Sequence, residues 1–190
     1  MKLIEYQILA SRTRPDLGDN YKNIMHMDMG IITEIGELMD IFKKELAYNK
    51  PVDTVNLGEE LADICWYTVN KLSLGSMSAP LVPRLVCEGK IKVMDILFCF
   101  RTYMTLTDSK KEYYLLDVVY TIACSYGLDL GEILAANINK LKVRYPDKFD
   151  TDKALNRDLE AERKVLELLH GELNQKDYIH SESPKMGDIT

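Results

Sequence analysis

Apolar residues recur at intervals of three and four along most of this chain, and nowhere do they alternate with polar ones over any length. That pattern predicts helices and no strands. A short helix is expected over residues 1–12, closed by the Arg14-Pro15-Asp16 turn and Gly18. A long helix follows from about Asn20 to Ala47 and ends at the Asn49-Lys50-Pro51 turn. Asn56, with Glu59 three residues on, reads as the cap of a helix running to about Leu74. Ser109-x-x-Glu112 and Asp129-x-x-Glu132 read as capping boxes opening two more helices, with Gly127 ending the first of them. The stretch DKALNRDLEAERKVLELLH, residues 152–170, reads as one charged amphipathic helix. The expected architecture is an all-α helical bundle.

A chain of 190 residues is one domain, long enough to bury a sizeable core. We place that domain at residues 1–171, with a helical insertion over about 75–108 and a polar, mobile tail over 172–190. Pro80 and Pro83 interrupt the insertion, and IKVMDILFCFRTYM at 91–104 reads as a buried or interface helix that packs on the bundle or covers its site.

Two of the expected helices carry carboxylates where their apolar stripes predict something else. In GIITEIGELMDIF the stripe is Ile31, Ile35, Leu38 and Phe42, and Glu34 projects at its edge between Leu38 and Ile41. Twenty-six residues on, NLGEELADICWYT repeats the stripe as Leu57, Leu61, Ile64 and Thr68, with Glu60 in the place of Glu34. Glu37 and Asp63 fall one step further round in matching positions. A single acidic pair at i, i+3 usually lies on a solvated face; Asp16/Asp19, Asp129/Glu132 and Asp147/Asp150 read that way, as turn or cap chemistry. Asp40 and Glu59 point to the polar side of their helices. Two pairs at one phase on successive helices are different, because four anions beside a core need a cation. Carboxylate oxygens suit a hard ion, and Mg²⁺ is the expected one.

A third helix mirrors these with positive charge. In LGEILAANINKLKVRYPDKF the stripe is Leu130, Leu134, Ile138, Leu141 and Tyr145, and Asn137, Lys140 and Arg144 share one edge of it. Such basic side chains often merely lay their stems along a core. Facing carboxylates, they also suit a polyphosphate held by metal on one side and by Lys and Arg on the other.

Charge and cysteine content narrow the classes. The net charge is −6 with no concentrated basic stretch, which argues against binding duplex nucleic acid. Cys65, Cys87, Cys99 and Cys124 lie in apolar segments without a C-x-x-C pair, so free buried thiols in a reducing compartment are expected, neither zinc ligands nor disulfides. The opening MKLIEYQILASRTRP meets Glu5 too soon for a signal peptide, and no apolar run approaches membrane-spanning length. The expected location is the cytoplasm, a host's if the chain is virus-encoded, and no membrane partner is expected.

The motifs in their order resemble a known family. Glu34-x-x-Glu37, a spacer of twenty-two residues, then Glu60-x-x-Asp63 followed by Trp66-Tyr67, is similar to the MazG-type all-α nucleoside triphosphate pyrophosphohydrolases. Asn137-x-x-Lys140-Leu141-x-x-Arg144-Tyr145-Pro146 resembles that family's downstream block, particularly in its small phage-type members, as do Tyr6-Gln7 and Ser11-Arg12-Thr13. The resemblance touches residues 5–70 and 125–165. It implies cleavage of a nucleoside triphosphate, deoxynucleotides being the expected class, between α- and β-phosphorus to give the monophosphate and pyrophosphate. It implies Mg²⁺ on Glu34, Glu37, Glu60 and Asp63, phosphates on Lys140 and Asn137, and a homodimer or homotetramer. Helix phase adds Arg144 to the phosphate contacts. Glu34 or Glu37 is expected to orient the attacking water, and Tyr67, on the carboxylate side, to stack on the base. Trp66 points away from the Glu60 stripe, which suits packing or an interface as well; Tyr6, His26 and Gln7 are further candidates around the base. Two departures stand out: Thr33 replaces the first of two adjacent glutamates common in the family, and the segment between Leu72 and Ser109 is longer than in compact members.

Two other classes fit less well. A ferritin-like di-iron site needs Glu-x-x-His twice, and this chain has it once, at Glu167-x-x-His170. A non-catalytic helical module that binds nucleotide or a protein needs neither charge set at a core edge.

Overall fold

The stripe Leu57, Leu61, Ile64 and Thr68 is wholly buried, because its helix runs through the middle of the molecule. The computed structural model describes residues 1–81, 89–108 and 110–168. They form an all-α bundle: α1 Leu3–Ser11, α2 Asn20–Tyr48, α3 Thr54–Leu74, α4 Val93–Thr105, α5 Lys111–Ser125, α6 Leu130–Arg144, α7 Thr151–Leu155, and α8 over residues 159–168. The central α3 packs against α1, α2, α5 and α6. The expected stripes of α2 and α6 are also buried, each within 7% exposure. Every fully buried Leu or Ile on them contributes roughly 1.5–3 kcal/mol relative to an exposed one.

Local chemistry sets the ends. Asp19 caps α2 by accepting from the Tyr21 amide at 2.7 Å. Asn49, left-handed at φ 50°, closes it. Gly127, at φ 71°, lets the Leu128 amide return to the Ala123 carbonyl at 2.9 Å and stops α5. Asp129 and Asp150 cap α6 and α7, as the cap reading of those acidic residues expects.

Four expectations need correction. The cap of α3 is Asp53, not Asn56: its carboxylate accepts from the Val55 and Asn56 amides, so the helix starts earlier. Ser109 lies outside the described residues, and Glu112 is not capping α5. It is 2% exposed and sits 2.6 Å from Lys71 Nζ, which also donates to Asp28 at 2.6 Å and so joins α2, α3 and α5. The helix expected over 152–170 breaks at Asn156, where Asp158 caps a new start by accepting from the Ala161 amide at 3.0 Å. Only Cys65 of the described cysteines is buried; Cys99 is half-buried and Cys124 exposed. Cys87 and Pro83, like Gly171, His170 and the tail from 172, lie outside the described residues.

No single helix among the described residues is long and apolar enough to cross a membrane. Within the insertion, α4 packs on α5 and α2. Its Ile96, Phe100 and Tyr103 are buried, whereas Met94 and Phe98 are exposed.

One close approach positions the site. A Cβ at Gly30 would fall 2.1 Å from Cε1 of Tyr67, so the tyrosine ring lies directly on the α2 backbone. Gly30→Ala is expected to push that ring away and destabilise the protein by about 1–3 kcal/mol, as overpacked contacts do, read by urea unfolding.

Candidate metal and phosphate site

Because α2 and α3 pack along their lengths, the edges of their two stripes meet. Glu34, Glu37 and Glu60 each bring a carboxylate oxygen to within 4.8 Å of the other two. Glu60 is 7% exposed, Glu34 is half-buried and Glu37 reaches solvent. Burial, reinforced by the charges of Asp63 and Glu37, pushes the Glu34 carboxyl up to about 7, and Glu60 is driven further, to about 9. Without a cation the cluster holds protons at neutral pH. The donor set suits Mg²⁺: it is all oxygen, and Glu34, Glu37 and Glu60 are the residues that would hold the ion.

Asp63 is placed differently from the other three. Asn137 Nδ2 donates to its Oδ1 at 2.5 Å and Lys140 Nζ to its Oδ2 at 2.6 Å. Lys140 also donates to Glu59 at 3.1 Å. Burial disfavours the ammonium, but Asp63 and Glu59 outweigh it and raise its pKa above the usual lysine value. Asn137 and Lys140 are each 1% exposed and are not among the residues that line the cavity. They lie behind Asp63 and hold it. Glu59 is likewise not a solvated bystander: it is one turn before Asp63, and the same lysine bridges the two.

The carboxylates open into a cavity of about 540 Å³ between α2, α3 and the chain from α6 to α8. Arg144 lines it, as helix phase predicts, but its guanidinium is already engaged. Nε and Nη2 donate to the two oxygens of Glu162 at 2.7 and 2.5 Å, and Arg157 Nη2 donates to the same carboxylate at 2.8 Å. Burial raises the Glu162 carboxyl, yet hydrogen bonds from Arg144 and Arg157 prevail and bring it down to about 2. No described residue of the 75–108 insertion lines this cavity.

Tyr67 lies on the carboxylate side as expected and lines the cavity, with Trp66 edge-on at 4.9 Å and His26 edge-on at 5.9 Å between ring centroids. Trp66 also lines the cavity, despite its unfavourable phase. Helical side chains lean toward the N-terminus, so the indole covers the turn carrying Asp63. Its Nε1 donates to Thr13 Oγ1 at 3.0 Å. His26 Nδ1 is buried without a hydrogen-bond partner, and burial lowers its pKa. Tyr6 and Gln7 do not reach the cavity. The Tyr6 hydroxyl lies 2.7 Å from Asn137 Oδ1 and 3.1 Å from the Ala62 carbonyl, and Gln7 binds backbone of Val69, Met77 and Ala79. Both are core fasteners.

Several residues acquire roles that periodicity alone does not reveal. Arg12 Nη1 lies within 3.1 Å of the carbonyls of Tyr145, Pro146 and Asp147, fixing the turn that follows α6. Phe149, Arg157 and Leu159 complete the far wall. A carbonyl cluster carries no side-chain signature, and the wall comes from the segment read as one continuous helix. Comparison of the chain with family models, with curated proteins and with solved structures gives no match.

Proposed function

We propose that this chain is a Mg²⁺-dependent nucleoside triphosphate pyrophosphohydrolase of the MazG type, which releases a nucleoside monophosphate and pyrophosphate. The observation that supports it most is the meeting of Glu34, Glu37 and Glu60 in the lining of a cavity that Trp66, Tyr67, Arg144 and Arg157 also line. Three carboxylates this close, with the Glu34 and Glu60 carboxyls pushed well up by burial and by their neighbours, have no structural use that an apolar residue would not serve better.

Glu34, Glu37 and Glu60 would hold the metal, which when bound supplies charge neutralisation at the phosphate oxygens. Asp63, fixed by Asn137 and Lys140, adds a further negative group beside them. Glu37, the exposed member, would use its second carboxylate oxygen to orient a water toward phosphorus and to accept its proton as pyrophosphate departs. Arg144 faces the departing group, and Tyr67 and Trp66 offer the base an aromatic wall. The outward face of α2, where Tyr21, Met25, Met29 and Ile32 are exposed, supports the accompanying expectation of a homodimer or homotetramer.

The deciding experiment is product analysis with ribo- and deoxynucleoside triphosphates, with and without Mg²⁺. Monophosphate and pyrophosphate formed only with Mg²⁺ are expected. Diphosphate with free phosphate would mean that the wrong bond is cut. No turnover, with nucleotide bound equally well without Mg²⁺, would favour the non-catalytic module. Glu37→Gln keeps the side chain's shape and is expected to lower turnover by about 10²-fold or more, the usual size of a general-base contribution; survival within about tenfold would remove Glu37 from that role.

A further inference from the structure

In the cavity that the carboxylates line, two guanidiniums share one buried anion. Glu162 is 3% exposed and accepts three hydrogen bonds, two from Arg144 and one from Arg157. Neutralising one carboxylate requires one arginine. The second leaves the trio with a net charge of +1, and both arginines line the cavity. Each guanidinium has five N–H donors, so most of the pair's donors remain for something other than Glu162. The wall that carries them is also tied down. Arg12 holds the carbonyls after α6, Arg163 Nη2 donates to Asp53 at 3.1 Å at the start of α3, and Leu166 is buried.

We infer that Glu162 is a positioning residue that fixes Arg144 and Arg157 as a paired fork for phosphate groups other than those at the carboxylate cluster. The class of ligand is a linear polyphosphate spanning the cavity, its proximal oxygens toward Glu34, Glu37 and Glu60 and its terminal ones on the fork. This assignment rests on the pyrophosphohydrolase reading for its reaction, but the fork itself concerns anion binding and is measurable without turnover. Guanidiniums match phosphate oxygens bidentately, and a carboxylate that already holds both removes rotamer freedom that each would otherwise lose on binding.

The test uses the full chain and inorganic tripolyphosphate with Mg²⁺, followed by titration calorimetry, beside steady-state kinetics on a nucleoside triphosphate. Arg157→Ala and Glu162→Gln are each expected to weaken tripolyphosphate binding by about tenfold and to raise KM by a similar factor, with kcat falling too in Glu162→Gln, where Arg144 loses its anchor. Arg157 is 38% exposed in its side chain, so its truncation keeps the test available if Glu162→Gln fails to fold. Binding within twofold of the unsubstituted protein in Arg157→Ala would overturn the fork. Tighter binding in a folded Glu162→Gln would overturn the positioning role, since Glu162 would then be competing with phosphate for the arginines. Loss of tripolyphosphate binding in a protein that hydrolyses no nucleotide would support the fork and sink the hydrolase. Hydrolysis with unchanged KM in both variants would do the reverse.

Discussion

Glu60→Gln is expected to make the metal-free protein more stable and to abolish its response to Mg²⁺. The Glu60 and Glu34 carboxyls hold their protons in the folded protein up to about pH 9 and about pH 7, whereas in the unfolded chain they lose them near the ordinary glutamate value of 4.5. A raised carboxyl pKa favours the folded state below the unfolded value, and that contribution is lost as pH rises through the folded one. Without metal, therefore, the unsubstituted protein's melting temperature should fall steadily between about pH 5 and pH 9. Mg²⁺ binds the folded cluster in its ionised form, so its stabilisation should grow over the same interval and oppose the fall. In Glu60→Gln the fall above pH 7 should flatten and the Mg²⁺-induced rise should vanish, with turnover reduced by about 10²-fold or more. Thermal melts in chelator and in Mg²⁺ at pH 5.5, 7 and 8.5 read all of this. An undiminished Mg²⁺ shift in the variant would place the metal elsewhere.

How far the sequence reaches this site depends on what each feature requires. Helix phase is a local property: Glu34 and Glu60 were readable because each interrupts a 3.6-residue stripe, and the stripes are buried as predicted. That the two edges meet follows from α2 and α3 being consecutive long helices joined by a short turn. The partner of Asp63 was half readable. Lys140 and Asn137 stand out on α6, but whether they face a ligand or another side chain depends on the depth of α6 against α3, which no local pattern carries. The i, i+4 relation of Glu59 and Asp63 was a missed sign that one cation could bridge both. The far wall was least legible, since the break at Asn156 turns what looks like one amphipathic helix into two. Arg157 in the break and Glu162 on α8 meet Arg144 there.

Lys140→Met separates the two roles open to this lysine. If Lys140 touched phosphate, the variant would fold normally and lose affinity for substrate. The structure instead puts Nζ at 2.6 Å from Asp63 and 3.1 Å from Glu59, with the side chain 1% exposed. Removing that ammonium leaves two carboxylates facing each other beside the core without a cation, and deleting one partner of a buried ionic group commonly costs about 3–5 kcal/mol. Methionine fills most of the volume, so cavity formation adds little and the loss reports charge. Expected on urea unfolding at neutral pH is a drop of that size. A second replacement, Asp63→Asn in the Lys140→Met background, should return part of the lost stability, because the orphaned charge is gone while Asn137 keeps an oxygen to donate to. Should Lys140→Met keep full stability and only raise KM, the lysine would belong to the phosphate contacts, and Asp63 would be free to serve as a fourth metal ligand.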